Sequence, residues 1–393
     1  MKTDVRLPGT FGTICLGILQ ILVWGGSFFL LAVMADPIRR DTGWGSQWVY
    51  GSLSLSLMVS ALLAPYSSRL VARYGGRLQL AGSGAVVAVG LLIVASSHSL
   101  LVFMLAWAVI GVGMAMGLYE TLFSTLGSLY AEQAGKVIVG VTLISGFATT
   151  LSWPAVAYAI EALGWRYACV AYAVVLLIVV APLYLRILPP AVPIDRQTSA
   201  VRSSSQPVDR GIYFLLVWIF ALGAIIMTAI SVQLVSVLQG LGYSLTGAIG
   251  LSALLGPSQV GSRVLQLFAG QRHPVWIALI SAVLIAIGML LVSVAPAVTA
   301  LGLILYGCGN GLRAIVRGLL PLALMPQEQY VSLMGKMSRP SLIGQALTPM
   351  VGGFVIQHFG AMGVLVVLCA LALVNMVLVL MVMRRLKALK QGL

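Results

Sequence analysis

The sequence predicts an all-α membrane protein with twelve transmembrane helices in two pseudo-symmetric bundles of six. Three observations lead to this prediction: the apolar composition, the number of apolar segments long enough to cross a membrane, and a pattern found in both halves. Of the 393 residues, 60% are hydrophobic and only 8% are charged. Soluble domains carry about 25% charged residues, so the composition predicts an integral membrane protein.

The apolar segments match the thickness of a bilayer. A helix needs about 20 apolar residues to cross a hydrocarbon layer about 30 Å thick. Because open sheet edges cannot face lipid, each such segment is expected to be helical. The predicted spans are, in chain order, 11–34, 46–66, 78–97, 100–129, 135–159, 165–186, 212–238, 245–268, 275–295, 298–325, 331–356 and 360–384.

The longest polar interruption lies near the middle of the chain, at about 189–211. Its proline, serine and charged residues are typical of a linker. It predicts an N-terminal six-helix bundle at 1–188 and a C-terminal six-helix bundle at 212–393.

Basic residues mark one side of the membrane. They follow the even-numbered spans and end the chain, whereas the opposite loops carry few of them, with Arg39, Arg40 and Arg166 as exceptions. The positive-inside rule therefore places both termini and the linker in the cytoplasm, and we expect a bacterial inner (plasma) membrane. The rule also accounts for the formal charge of +14, so no nucleic-acid partner is expected. The residues on the cytoplasmic side are Arg69, Arg73, Arg77, Lys136, Arg186, Arg196, Arg202, Arg210, Arg272, Lys336, Arg339, Arg384, Arg385, Lys387 and Lys390.

The chain carries no pattern expected of an enzyme or a metalloprotein. Its four cysteines lie in separate apolar segments without metal-ligand spacing, so no metal and no other cofactor is expected. No nucleophile–base pair and no GxxxxGK[ST] sequence occurs. The glycine-rich stretches of spans four and ten lie within apolar helices, which favours close helix packing over nucleotide binding. They contain Gly111, Gly113 and Gly117 in one span and Gly307, Gly309 and Gly311 in the other.

A short pattern is repeated across the linker. Ser60–Pro65 reads SALLAP, and Ser252–Pro257 reads SALLGP. Two further pairs of identical residues are separated along the chain by nearly the same number of residues as these two hexapeptides. This indicates that the two halves arose by duplication. They are Pro154 with Pro349 and Gly117 with Gly311.

The loop after span two carries a partial family signature. Ser68–Arg77 reads SRLVARYGGR and resembles the G-x-L-x-D-R-x-G-R-R signature of the major facilitator superfamily. The matching residues are Leu70, Arg73, Gly75 and Arg77, whereas Ser68 and Ala72 replace a glycine and the aspartate. The resemblance implies a twelve-helix transporter in which spans one, four, seven and ten line the cavity. It also implies a cytoplasmic gating loop that contains Arg69, Arg73, Gly75 and Arg77.

One carboxylate lies deep in span four. Glu120 has no charged neighbour between Leu78 and Glu132. A carboxylate near the bilayer centre is costly unless it faces a cavity or a partner. Glu120 is therefore the candidate for proton coupling or for binding a cationic group, with a structural ion pair as the alternative.

Two arginines lie in span ten. Arg313 and Arg317 are four residues apart, which places them on one helical face about 6 Å apart along the axis. Arg313 is expected to bind an anionic group of a substrate or to pair with Glu120, which is nearly its counterpart in the repeat. Arg317 is a second substrate candidate, with a role at a gate as the alternative.

Other polar and aromatic residues complete the predicted site. Gln20, Trp24 and Ser27 have the spacing of one helical face in span one. Tyr119 precedes Glu120, and Gln233 is the comparable polar residue of span seven. All five are candidates for substrate contact, with helix packing as the alternative.

Together these features predict a secondary transporter, and not an enzyme, that works by alternating access. The substrate is expected to be a small organic solute, and Arg313 and Arg317 favour an anionic one. The energy is expected to come from protons. One alternative is an efflux pump for toxic or hydrophobic compounds. Another is a membrane receptor or scaffold that does not transport. The expected partners are the lipid bilayer, the solute and protons, and a monomer is expected.

Overall fold

The computed structural model describes residues 7–190, 209–268, 273–294 and 296–391. Every regular element in these ranges is a helix, which confirms the predicted all-α fold. The helices of the first half are α1 (Thr10–Gly25), α2 (Leu31–Thr42), α3 (Ser46–Tyr74), α4 (Arg77–Ser96), α5 (Leu100–Gly117), α6 (Tyr119–Tyr130), α7 (Ala134–Ser145), α8 (Ala148–Leu163) and α9 (Trp165–Ile187). Those of the second half are α10 (Arg210–Gly240), α11 (Leu245–Ser252), α12 (Leu255–Phe268), α13 (Pro274–Val294), α14 (Thr299–Leu324) and α15 (Gln327–Gln391).

The helices follow the predicted spans, with interruptions. Within the described ranges, nine helical stretches are long and apolar enough to cross a membrane, and the last of them, Gln329–Ala388, is 60 residues long. Gly360 interrupts that stretch with φ 67° and ψ −172°, so α15 contains the two spans predicted on either side of it. Spans one, four, five and eight are each divided into two shorter helices. The predicted spans are therefore helical at these four places, but the interruptions within them were not predicted.

The predicted linker lies largely outside the described residues, as do Arg196, Arg202 and Arg272. By their contacts, the residues form two units. Unit 1 contains Met1–Pro207 and Met325–Ala346, and unit 2 contains Val208–Leu324 and Leu347–Leu393. The segment Met325–Ala346 thus packs with the first half of the chain. The division predicted at the linker describes duplication rather than contacts, and it stays a prediction.

Glycines allow close helix packing in both units. In unit 1, a Cβ atom at Gly111 would overlap the backbone of Ser56 on α3. In unit 2, a Cβ atom at Gly311 would overlap the backbone of Gln259 on α12. The predicted packing role of the glycine-rich stretches is therefore confirmed at these positions.

Two of the three arginines that were exceptions to the predicted distribution of basic residues form ion pairs within unit 1. Arg39 Nη1 lies 3.1 Å from Asp36 Oδ1. Arg166 Nη2 lies 3.4 Å from Asp41 Oδ2, and Arg166 Nη1 donates to the carbonyl oxygen of Ser97 at 2.7 Å. These two arginines therefore have local partners within unit 1.

Unit 2 contains a large hydrophobic cluster. The cluster joins α10, α13, α14 and α15, and it includes Leu238, Met289, Leu303 and Leu365, each of which is fully buried. Tyr306 of α14 packs in the same cluster. The cluster fixes α14, the helix that carries the two predicted arginines.

Candidate functional site

Span four is broken next to its carboxylate. The helix α5 ends at Gly117, Leu118 is extended with φ −79° and ψ −177°, and α6 begins at Tyr119. Glu120 therefore lies in the first turn of α6 rather than within a continuous helix. At this position, the partial positive charge of the helix N-terminus complements the carboxylate.

Side chains satisfy the backbone carbonyls that the break exposes. Gln20 Nε2 donates to the carbonyl oxygen of Gly117 at 2.8 Å. Ser67 Oγ and Thr121 Oγ1 each donate to the carbonyl oxygen of Ala115 at 2.8 Å. Because an unsatisfied carbonyl in lipid costs several kcal/mol, these three side chains stabilise the broken conformation.

The polar residues predicted in span one are deeply buried. Gln20 is fully buried, and its Nε2 also donates to Tyr184 Oη at 3.0 Å. Trp24 Nε1 donates to Gln20 Oε1 at 3.2 Å, which confirms that these two residues share a helical face. Ser27 lies just after α1 and donates to the carbonyl oxygen of Val23 at 2.6 Å. The polar atoms of Gln20 and Ser27 are thus engaged within unit 1.

An aromatic cluster surrounds Trp24. Its ring lies 5.4 Å from that of Phe28, 5.5 Å from that of Phe29 and 5.1 Å from that of Tyr119. The hydroxyl of Tyr119 lies 2.6 Å from Ser145 Oγ at the end of α7. Tyr119 therefore connects the break in span four to the break between α7 and α8.

Glu120 itself is half-buried and lines a small cavity inside unit 1. Ser60 and Ser67 of α3 and Thr121 of α6 line the same cavity. The carboxylate thus has hydroxyl groups close by, whereas its predicted position facing the transport cavity stays a prediction.

The predicted gating loop has the backbone that its glycine requires. Gly75 ends α3 with φ 75°, a left-handed conformation that glycine adopts without strain. Arg69 lies over the ring of Tyr66, and Arg73 lies over the ring of Tyr74, at 5.4 and 5.1 Å from the centroids. Arg77 begins α4 and donates to the carbonyl oxygen of Leu185 on α9.

Arg313 is positioned by its neighbours in unit 2. Its Nε and Nη2 donate to Asn310 Oδ1 at 3.1 and 2.8 Å. Gly223 of α10 leaves room for the side chain, because a Cβ atom there would come 2.9 Å from Arg313 Cδ. Asn310 is a neutral partner, so this contact orients the guanidinium group without neutralising its charge.

Two more arginines lie near Arg313. Arg317 is half-buried one turn further along α14, and both Arg317 and Arg263 are close enough to repel Arg313 electrostatically. Arg263 is 5% exposed, and its Nε donates to the carbonyl oxygen of Gly311 at 3.1 Å. The predicted Gln233 is also buried in unit 2, where its Nε2 reaches the carbonyl oxygen of Pro349 at 3.4 Å.

The structure thus groups Gln20, Trp24, Tyr119 and Glu120 in unit 1 and places Arg313 and Arg317 in unit 2. The pairing of Glu120 with Arg313 stays a prediction.

Several residues beside these groups were not predicted. Arg263 follows SALLGP as Arg69 follows SALLAP, but Arg69 is exposed whereas Arg263 is buried. Asn310 lies three residues before Arg313, a spacing that indicates contact on a helix. Ser60 and Ser67 lie on α3, so no sequence signal linked them to Glu120. Thr121 follows Glu120 in the chain, but nothing in the sequence indicated that it lines the same cavity.

Solved structures of transporters share this fold, among them the following two. The human organic anion transporter MFSD10 (TETRAN) has a TM-score of 0.70 and 15% sequence identity, with 95% of this chain and 100% of that chain covered. The proton:xylose symporter XylE, bound to 6-bromo-6-deoxy-D-glucose, has a TM-score of 0.72 and 14% identity, with 94% of each chain covered.

Sequence comparison gives the family. No curated protein matches the chain significantly. The sequence profile of the Major Facilitator Superfamily matches residues 16–339, which is most of the chain. The chain is therefore a multi-pass membrane protein that belongs to the major facilitator superfamily of transporters.

Proposed function

We propose that the protein is a proton-coupled secondary transporter that moves a small organic anion by alternating access. The observation that carries the proposal is the position of Glu120, at a break in a membrane helix and beside a polar cavity. In many transporters of this kind, broken helices place their termini at the sites of substrate and coupling ions.

The coupling role rests on the chemistry of a carboxylate within the membrane. Ionisable residues in membrane spans are costly and commonly mark ion or substrate pathways. A carboxyl group can gain or lose a proton, whereas the hydroxyl groups of Ser60, Ser67 and Thr121 stay neutral. Glu120 is therefore the group in this cluster that can couple a proton to transport.

The substrate class rests on Arg313, since the similarity to the two solved transporters establishes the fold alone. A guanidinium group binds carboxylate or phosphate through two parallel hydrogen bonds. Asn310 fixes the orientation of this group, and Arg317 adds a second positive charge on the same helical face. A small solute with a carboxylate or phosphate group fits these charges.

We also infer the orientation and division of the chain. The distribution of basic residues favours cytoplasmic termini, and the repeat favours halves at 1–188 and 212–393. With the four native cysteines replaced, a Thr42→Cys variant should react with an impermeant thiol reagent added outside the cell. Labelling only after permeabilisation would reverse this topology.

The function is tested first by finding a ligand and then by driving transport. Purified protein should be heated with a panel of mono- and dicarboxylates, phosphate esters, neutral sugars and organic cations. Compounds that raise the melting temperature should then be tested in proteoliposomes under an imposed pH gradient. We expect anions to stabilise the protein and to accumulate in a gradient-dependent manner.

Glu120→Gln should abolish accumulation but leave the protein folded, because the amide keeps the shape and cannot carry the proton. Glu161→Gln is the matched control, since Glu161 is exposed on α8. If Glu120→Gln accumulates substrate as well as the wild type, Glu120 is not the coupling residue. If no compound accumulates, the transporter proposal fails and a receptor is favoured.

A second candidate function is efflux of hydrophobic compounds. The aromatic cluster around Trp24 favours it, because aromatic rings bind apolar and cationic molecules. Stabilisation by hydrophobic organic cations, without an effect of anions, would support this alternative. Loss of that stabilisation in Trp24→Ala would assign the site to the cluster.

A further inference from the structure

A small cavity lies beside Glu120 within unit 1. It has a volume of about 10 Å³, which is close to the room that one water molecule needs. Its polar lining comes from Ser60, Ser67, Ser68, Glu120 and Thr121, and its apolar lining from Ala64, Met114, Ala115 and Leu342. Four hydroxyl groups and a carboxylate therefore border part of a space the size of one water molecule.

Three of these hydroxyl groups use their hydrogen atoms elsewhere. Ser67 and Thr121 donate to the carbonyl oxygen of Ala115 at 2.8 Å. Ser68 donates to the carbonyl oxygen of Ala64 at 3.1 Å. A hydroxyl group has one hydrogen atom and two acceptor lone pairs. These three residues can therefore offer only lone pairs to a molecule in the cavity.

Ser60 differs from the other three. Its side chain is 2% exposed, and no hydrogen bond of its hydroxyl group is found in the part of the chain that the structure describes. Its Oγ atom is not completely buried, and Ser60 lines the cavity. A molecule bound there would give this hydroxyl group a hydrogen-bond partner.

We propose that the cavity binds one water molecule that connects Glu120 to Ser60. The water accepts the hydrogen bond of Ser60 and donates to the carboxylate and to a lone pair of Ser67, Ser68 or Thr121. It has three or more polar partners, as buried waters commonly do. The functional part of this inference rests on the proposed function: the water is the group with which Glu120 exchanges its proton.

The binding of water is tested by filling the cavity. Ala64→Val places two methyl groups where the water binds, which leaves Ser60 and Glu120 without their shared partner. The variant should melt about 3 °C or more below Ala72→Val, the control on an exposed position of the same helix. Ala64→Ser should melt close to the wild type, because its hydroxyl group can replace the water.

Other results would overturn the proposal. If Ala64→Val melts at or above the control, the space is a void that holds no water. If Ala64→Ser loses as much stability as Ala64→Val, the loss comes from steric strain alone.

Infrared spectroscopy provides a readout that packing alone would not change. The carboxyl bands of Glu120 are assigned as those lost in Glu120→Gln. They should shift in Ser60→Ala, which removes the donor to the water, but not in Ser128→Ala, whose hydroxyl bonds to the carbonyl oxygen of Thr125. Unchanged bands in Ser60→Ala would contradict the water. Failure of Glu120→Gln to alter transport would refute the coupling role but leave these spectral shifts intact.

Discussion

The charged residues of the candidate site lie on different kinds of helix in the two units. In unit 1, Glu120 follows a break at Leu118. In unit 2, Arg313 and Arg317 lie along α14, which continues unbroken from Thr299 to Leu324. A broken helix exposes carbonyl groups that need donors, whereas a continuous helix satisfies its own backbone.

This difference decides what the neighbouring polar side chains do. In unit 1, Gln20 and Thr121 donate to carbonyl groups at the break. In unit 2, Asn310 accepts from Arg313 instead. Gln20 and Thr121 therefore stabilise the backbone at the break, whereas Asn310 orients a charged group.

The largest expected effect is at the buried Gln20, with the buried Gln233 of unit 2 as the comparison. Gln20→Leu removes the donor to Gly117 and to Tyr184 and should destabilise the protein by about 2–4 kcal/mol. Gln233→Leu should cost less than about 1 kcal/mol, because Gln233 makes only a long contact of 3.4 Å and its Oε1 is buried without a partner in the described structure. Thermal unfolding of both variants in detergent measures the difference. Equal losses would remove the distinction between the units.

A smaller effect is expected at Asn310. Asn310→Ala releases the guanidinium group of Arg313, so an anionic substrate should show an apparent KM about 10-fold higher, with little change in kcat. Initial transport rates at varied substrate concentration provide the measurement. A loss of thermal stability with an unchanged KM would show that Asn310 stabilises the fold, as Gln20 and Thr121 do in unit 1, and does not orient Arg313 for the substrate.

Arg313→Lys should also raise the apparent KM of an anionic substrate, because an ammonium group lacks the planar fork that binds carboxylate. We expect an increase of about 3–10-fold, again from initial rates. Val316→Ala, a change at a buried position of the same helix, controls for general damage. If Arg313→Lys has the KM of the wild type, the arginine does not bind the substrate through its fork.

The smallest effect is expected at the start of unit 2. Asp209 Oδ1 accepts from the backbone of Gly211 at 2.7 Å, and its carboxylate lies 2.9 Å from Arg385 Nη2. The hydrogen bond from Arg385 lowers the pKa of Asp209. In the unfolded protein, the carboxyl group of Asp209 has a pKa of about 3.9. Because its pKa is lower in the folded protein, the charged carboxylate adds stability above that pH, and this stability is lost as the pH falls through the pKa of the folded protein.

Asp209→Asn keeps the helix cap and removes the charge. It should lower the melting temperature by about 1–2 °C at neutral pH and by less near pH 3. Melting curves at both pH values measure this effect. A loss that is equal at both would show that the charge of Asp209 does not contribute.

Much of the fold could be predicted from the sequence because hydropathy is a local property. The gap between the last two predicted spans coincides with the interruption at Gly360. The end of α3 was missed, since the helix continues to Tyr74 through polar residues that carry no hydropathy signal.

The break at Leu118 could not be predicted, because its donors Gln20 and Ser67 come from distant parts of the chain. Glu120 and Arg313 could be selected as candidates from the sequence, since charge within an apolar segment is itself the signal. The residues that surround these charges required the structure.

The central claim is that Glu120 carries the transported proton. A pH-sensitive dye sealed inside proteoliposomes measures proton movement directly when a stabilising anion is added without an imposed gradient. We predict that the wild type moves protons with the substrate, and that Glu120→Gln exchanges labelled substrate across the membrane without any proton movement. Equal proton movement in Glu120→Gln and the wild type would contradict the account.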